Sequence, residues 1–174
     1  MGASQFYHFV PYQEDINAAL QKLRQDVFAS GNYHKVDHSE WRNKTEEEIL
    51  RQLGGDVASG MNRSIYLDWL EIKNLPEPDT IERLLDWNGE EGTHSILDMC
   101  AGVSENPEYC TVSPLTDEQL VAYFGTTTPT REQIEAWFEQ GNHNFARRTL
   151  QGLYIIIYAD DAPTEICFTG FSGD

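Results

Sequence analysis

Basic residues are scarce in this sequence: 12 Lys and Arg face 29 Asp and Glu, giving a formal net charge of −17 over 174 residues. Such a chain repels phosphate backbones and anionic headgroups, and binding either would take a strong local basic stripe. None is present, so neither nucleic acid nor a membrane surface is an expected partner. The one adjacent basic pair, Arg147 and Arg148, falls on a segment that reads as helix with Phe145 and Leu150 inward. Two solvated surface arginines are expected there, not an anion site.

Cysteine is also sparse. Cys100, Cys110 and Cys167 make an odd count, and without an export signal free thiols are the default. Cys167 lies in an apolar run and is expected in the core. Cys100 and Cys110 could bridge if residues 101–109 loop back, but a reducing compartment opposes this, and three free thiols are expected. Long hydrophobic runs are missing: no window approaches the roughly 18 apolar residues of a membrane span, and Met1 to Val10 has neither the basic start nor the apolar stretch of a signal peptide. A soluble, cytoplasmic protein is expected. No repeat, low-complexity tract or long linker divides the chain, so residues 1–174 are read as one domain.

Catalytic signatures are absent too. Gly170-Phe171-Ser172-Gly173 lacks the spacing of a nucleophile elbow, and Gly54-Gly55 with Gly60 matches no phosphate loop. Both read as turns.

There is enough apolar material to fold. Leu, Ile, Val and Phe supply 40 of 174 residues, above the roughly 20% below which a highly charged chain stays disordered. Phe6 to Val10, stopped by Pro11, reads as a strand. Gln13 to Ala29 reads as a helix, with Ile16, Ala19, Leu20, Leu23 and Val27 on one stripe and Ser30-Gly31 as a left-handed stop. Asn32 to Lys44 is polar and aperiodic, a loop or lid. Three pairs at capping-box spacing open further helices: Thr45 with Glu48, Thr116 with Gln119, and Thr130 with Gln133. Asp79 with Glu82 predicts another, burying Ile81, Leu84 and Leu85.

Ser64 to Ile72 fits helix and strand about equally and is read as strand. Thr93 to Met99 alternates weakly and is also read as strand, and Ala101 to Pro114 as loop. Leu153 to Tyr158 and Thr164 to Phe171, separated by Ala159-Asp160-Asp161-Ala162-Pro163, predict a β-hairpin. The fold class is therefore α+β: an antiparallel or mixed sheet built from the N-terminal strand, a central strand and the C-terminal hairpin, with about five helices packed on it.

Several residues invite chemical readings. His34 and His38 have the i, i+4 spacing of metal ligands on a helix, but helical periodicity and a third ligand are missing. Neither a metal nor a cofactor is expected. Cys100 follows His94 by six residues, but an extended segment would hold them about 20 Å apart at roughly 3.3 Å per residue, too far for a dyad.

The remaining signal is the placement of negative charge. Residues 61 to 120 carry 13 acids and 3 bases, a net −10, against −3 before and −4 after. Asp79, Glu82, Asp86, Glu90 and Glu91 cluster on and around one short helix. Like charges there cost a helix a few tenths of a kcal/mol per pair, so local stability does not account for them. They are the expected binding face for a basic protein partner, in the manner of an inhibitor or an immunity protein. The alternative is an enzyme of unassigned reaction, its site walled by the 32–44 and 101–114 loops.

Overall fold

The computed structural model describes residues 4–55, 57, 60–142, 145 and 147–172. Five strands form one mixed sheet in the order β1-β5-β4-β3-β2. They are β1 (Ser4–Pro11), β2 (Gly102–Val103), β3 (Thr111–Pro114), β4 (Gln151–Ala159) and β5 (Ala162–Ser172). β5 pairs antiparallel with β1 and with β4, whereas β4, β3 and β2 run parallel. Seven helices accompany the sheet: α1 (Ile16–Ser30), α2 (Ser39–Asn43), α3 (Glu46–Gln52), α4 (Gly60–Asn74), α5 (Ile81–Asn88), α6 (Asp117–Phe124) and α7 (Arg131–Glu139). The protein is an α+β domain, and no described helix is long and apolar enough to cross a membrane.

Alternation along the hairpin sorts side chains to the two faces of the sheet. Ile166 and Phe168 of β5 join Phe6, Leu20, Leu23 and Leu84 under α1 and α5. Leu153, Ile155, Ile157 and Cys167 face the other way, under Ile134 and Phe138 of α7 and the aromatic cluster of Tyr123, Phe124 and Trp137. The hairpin turn is tighter than five residues: Ala159 pairs with Ala162, and Asp160 and Asp161 take φ of 50° and 61°, the positive values that a two-residue primed turn needs. All three capping boxes form as the spacing predicts.

Five readings are corrected. Residues 64–72 belong to α4, because Ile65, Trp69 and Ile72 share one helical face and Trp69 is 2% exposed. Residues 93–99 are not a strand but a buried connection with a 3-10 turn at Ile96–Asp98. His94 at φ 53° breaks the extension, and Asp98 Oδ1 accepts from the Thr93 N–H and hydroxyl, both at 2.8 Å. The 101–114 loop holds β2 and β3, and the 32–44 loop holds α2. The 147–148 pair is not helical, residues 143, 144 and 146 lying outside those described. Arg147 is half-buried and donates to the Pro114 carbonyl at 3.1 Å.

Candidate functional site

The acidic helix α5 opens one residue later than its carboxylates suggest. Thr80 is the N-cap, accepting from Arg83 N, so Asp79 lies outside the helix. Its carboxylate pairs instead with Arg83 at 2.7 Å. The other end of α5 buries Trp87 and Asn88, 4% and 5% exposed. Trp87 Nε1 donates to Val36 O at 2.8 Å, and Asn88 Nδ2 donates to the carbonyls of His34 and Gly92 at 2.8 and 2.6 Å. Lys35 and Arg42 lie over the indole, 4.8 and 5.2 Å from its centroid. Both also contact Glu77, and hydrogen bonding from Lys35, aided by Arg42, holds that carboxyl below its ordinary range. Residues 34–42 are thus strapped onto α5, which does not fit a free lid.

Beside the strap, α4 and α5 enclose a cleft of about 550 Å³. Its apolar floor comes from Ile72, Leu75 and Trp87, and its rim from Asp68, Glu71 and Asp86. These three carboxylates have no cationic partner among the described residues, and all are exposed. His38, also on the wall, is committed to the Trp87 carbonyl, which accepts from Nε2 at 2.8 Å.

The five predicted binding residues are all exposed. Asp86 lines the cleft. Glu90 and Glu91 sit on the 3-10 turn Gly89–Glu91 that follows α5, where Glu91 lies 3.4 Å from His34 Nε2. Glu82, in the first turn of α5, lies within electrostatic reach of buried Arg24. Sequence reasoning missed Asp68 and Glu71, because both fall on the segment read as strand. Their signal was the Ile65, Trp69, Ile72 spacing, which sets them beside the buried stripe of α4.

A second cleft, about 450 Å³, opens between the start of β1, the Gly31–His34 turn and His94. The His34 and His94 rings stack with centroids 4.6 Å apart, and Ser4 Oγ lies 3.2 Å from His94 Nδ1. His8 lines the same cleft, and burial pushes its imidazole below the ordinary value. Imidazoles and a hydroxyl are the groups of general acid–base and nucleophilic chemistry. His34 and His38, weighed above as a metal pair, serve different clefts.

No protein-family model matches this chain, and no curated protein or solved structure is significantly similar to it. Assignment therefore rests on the geometry. The two loops expected to wall an enzyme site contribute differently: the start of the 32–44 segment lines the histidine cleft, whereas none of the residues lining either cleft comes from 101–114.

Proposed function

We propose that the protein is a binding module that receives a basic segment of a protein partner in the α4–α5 cleft, as an inhibitor or immunity protein covers a basic surface. The observation that carries this reading is the set of three unpaired carboxylates, Asp68, Glu71 and Asp86, around the apolar floor of Ile72, Leu75 and Trp87. A Lys or Arg side chain suits such a site, its methylene stem on the floor and its cationic head at the rim. The net charge of −17 adds a long-range field that accelerates encounter with a basic partner.

The test uses three baits on native lysate: wild type, Glu71→Lys/Asp86→Lys, and the charge-matched control Glu105→Lys/Glu108→Lys. The expected partner binds wild type and control, weakens steeply with salt because exposed charges are screened beyond about 8–10 Å, and is lost with the cleft reversal. Loss with both double reversals would assign binding to net charge alone. A partner indifferent to salt and to the cleft reversal would refute the reading.

The enzymatic alternative is favoured by one contact, Ser4 Oγ against Nδ1 of His94, a residue that lines the histidine cleft. It requires hydrolysis of an activated ester that both Ser4→Ala and His94→Gln abolish. Hydrolysis unchanged by either variant removes it.

A further inference from the structure

Apart from both clefts, the fold brings two thiols together. Cys100 follows the 3-10 turn Ile96–Asp98, and Cys110 immediately precedes β3. The Ala101 N–H donates to Cys110 O at 2.9 Å, and the Cys110 N–H donates to Leu150 O at 2.7 Å. These bonds, with Gly102 paired to Thr111 in the next rung, hold the two cysteines side by side at the mouth of the β2–β3 ladder, the Cys100 thiol within electrostatic reach of the Cys110 sulfur. Cys100 is exposed and Cys110 half-buried, whereas Cys167 is enclosed in the core under α7. Arg24 of α1, only 5% exposed, lies within electrostatic reach of Cys100.

We propose that Cys100 and Cys110 form a reversible dithiol–disulfide couple oxidised by hydroperoxides, independent of the acidic cleft. Cys100 attacks first, because it is the exposed member. Its sulfur takes the terminal hydroxyl of the hydroperoxide as the O–O bond breaks, and the thiol proton leaves with the other oxygen as alcohol or water. The Cys110 sulfur then attacks the Cys100 sulfenic acid. The S–S bond forms, the S–O bond breaks, and the Cys110 proton departs with the hydroxyl as water. A dithiol reductant reverses the bond by exchange. Burial, with Cys100 alongside, pushes the Cys110 thiol up to about 11, consistent with its waiting protonated as the second thiol. The bridge would tie the 3-10 turn covalently to the start of β3.

The full chain, reduced with dithiothreitol and freed of it, is treated with hydrogen peroxide, denatured, alkylated and mapped by mass spectrometry. The three alkylatable cysteines of the reduced chain should fall to one, Cys167, with Cys100 joined to Cys110 and dithiothreitol restoring all. Cys110→Ser should accumulate a Cys100 sulfenic acid trapped by dimedone, whereas Cys100→Ser should leave both remaining thiols alkylatable. Circular dichroism of the reduced variants verifies that they fold. Three thiols persisting in peroxide-treated wild type, over-oxidised Cys100 without a cross-link, or disulfides only between chains would each overturn the proposal.

Discussion

Replacing Trp87 tests whether the strap and the acidic cleft share one anchor. The indole is 4% exposed. Its N–H donates to Val36 O at 2.8 Å, its ring underlies Lys35 and Arg42, and it lines the acidic cleft. Truncating a buried aromatic to Ala costs about 3–5 kcal/mol. In a chain of this length that lowers the melting midpoint by roughly 6–20 °C, taking about 2–4 °C per kcal/mol. Trp87→Phe keeps most of the ring but strands the Val36 carbonyl, which costs about 1–3 kcal/mol. Thermal unfolding gives the global term, and limited trypsinolysis at Lys35 and Arg42 reads the strap directly. Trp87→Ala should be cut at both sites under conditions that leave wild type intact, with Trp87→Phe between them. A Trp87→Ala midpoint displaced by less than about 1 kcal/mol equivalent, with cleavage unchanged, would show that Asn88 holds the strap without the indole.

Three further outcomes follow from the sheet. Ile155→Ala, at a residue 2% exposed, should cost about 2–5 kcal/mol by denaturant unfolding; Ile156→Ala, on the half-buried opposite face, should cost about 1–2 kcal/mol, in proportion to the smaller area lost, and equal losses would refute the assignment of faces. Gly170→Ala should destabilise by about 1–3 kcal/mol, because its Cβ would stand 2.9 Å from Gly152 Cα, backbone that has little room to move. Burial lowers the His8 value, so below pH about 6.5 the unfolded chain takes a proton that the folded chain refuses. Stability therefore falls as the pH drops from 6.5 toward the folded value, and His8→Gln should flatten that window while leaving the acid loss of the carboxylates, which begins near their own range around pH 4.5. An unchanged slope would refute the role given to His8.

The elements legible in the sequence are those in which local chemistry and tertiary packing agree. In α1 the apolar stripe ends at a glycine that does take φ 71°, and in α3, α6 and α7 the Thr and Glu or Gln side chains satisfy backbone donors wherever the helix packs. The hairpin was readable because consecutive isoleucines suit a strand covered on both faces. What misled was side chains answering to partners far along the chain. Thr93 and Ser95 look like the polar face of an alternating strand, yet both are buried with Asp98 in a turn whose hydrogen bonds close on themselves. In α4, exposed Leu67 and Leu70 filled the face that should have been polar, which hid the stripe of Ile65, Trp69 and Ile72. β2 is two residues long, and the inward side chains of β3 are Thr, Val and Ser. No periodicity can announce strands that short, and their place in the sheet is set by β4.

The same reasoning explains why composition located the candidate site only in outline. A count of acids measures the net field, whereas a binding site needs carboxylates left unneutralised at one place. Asp79 faces Arg83, and Glu77 is held by both Lys35 and Arg42. The strap thus brings its own cations onto the acidic region and neutralises part of it. Asp68, Glu71 and Asp86 have no such partner among the described residues, and they share their cleft with Trp87. Asp68 and Glu71 join Asp86 only once α4 is a helix packed on α2, with the Trp69 indole N–H on the Trp41 carbonyl, so two thirds of the rim depends on tertiary packing as well as on the helical spacing of α4. The cationic strap over the indole and the anionic rim of the cleft it lines give the surface a polarity. Reversing the rim should therefore change binding, whereas reversing Lys35 or Arg42 should first loosen the strap.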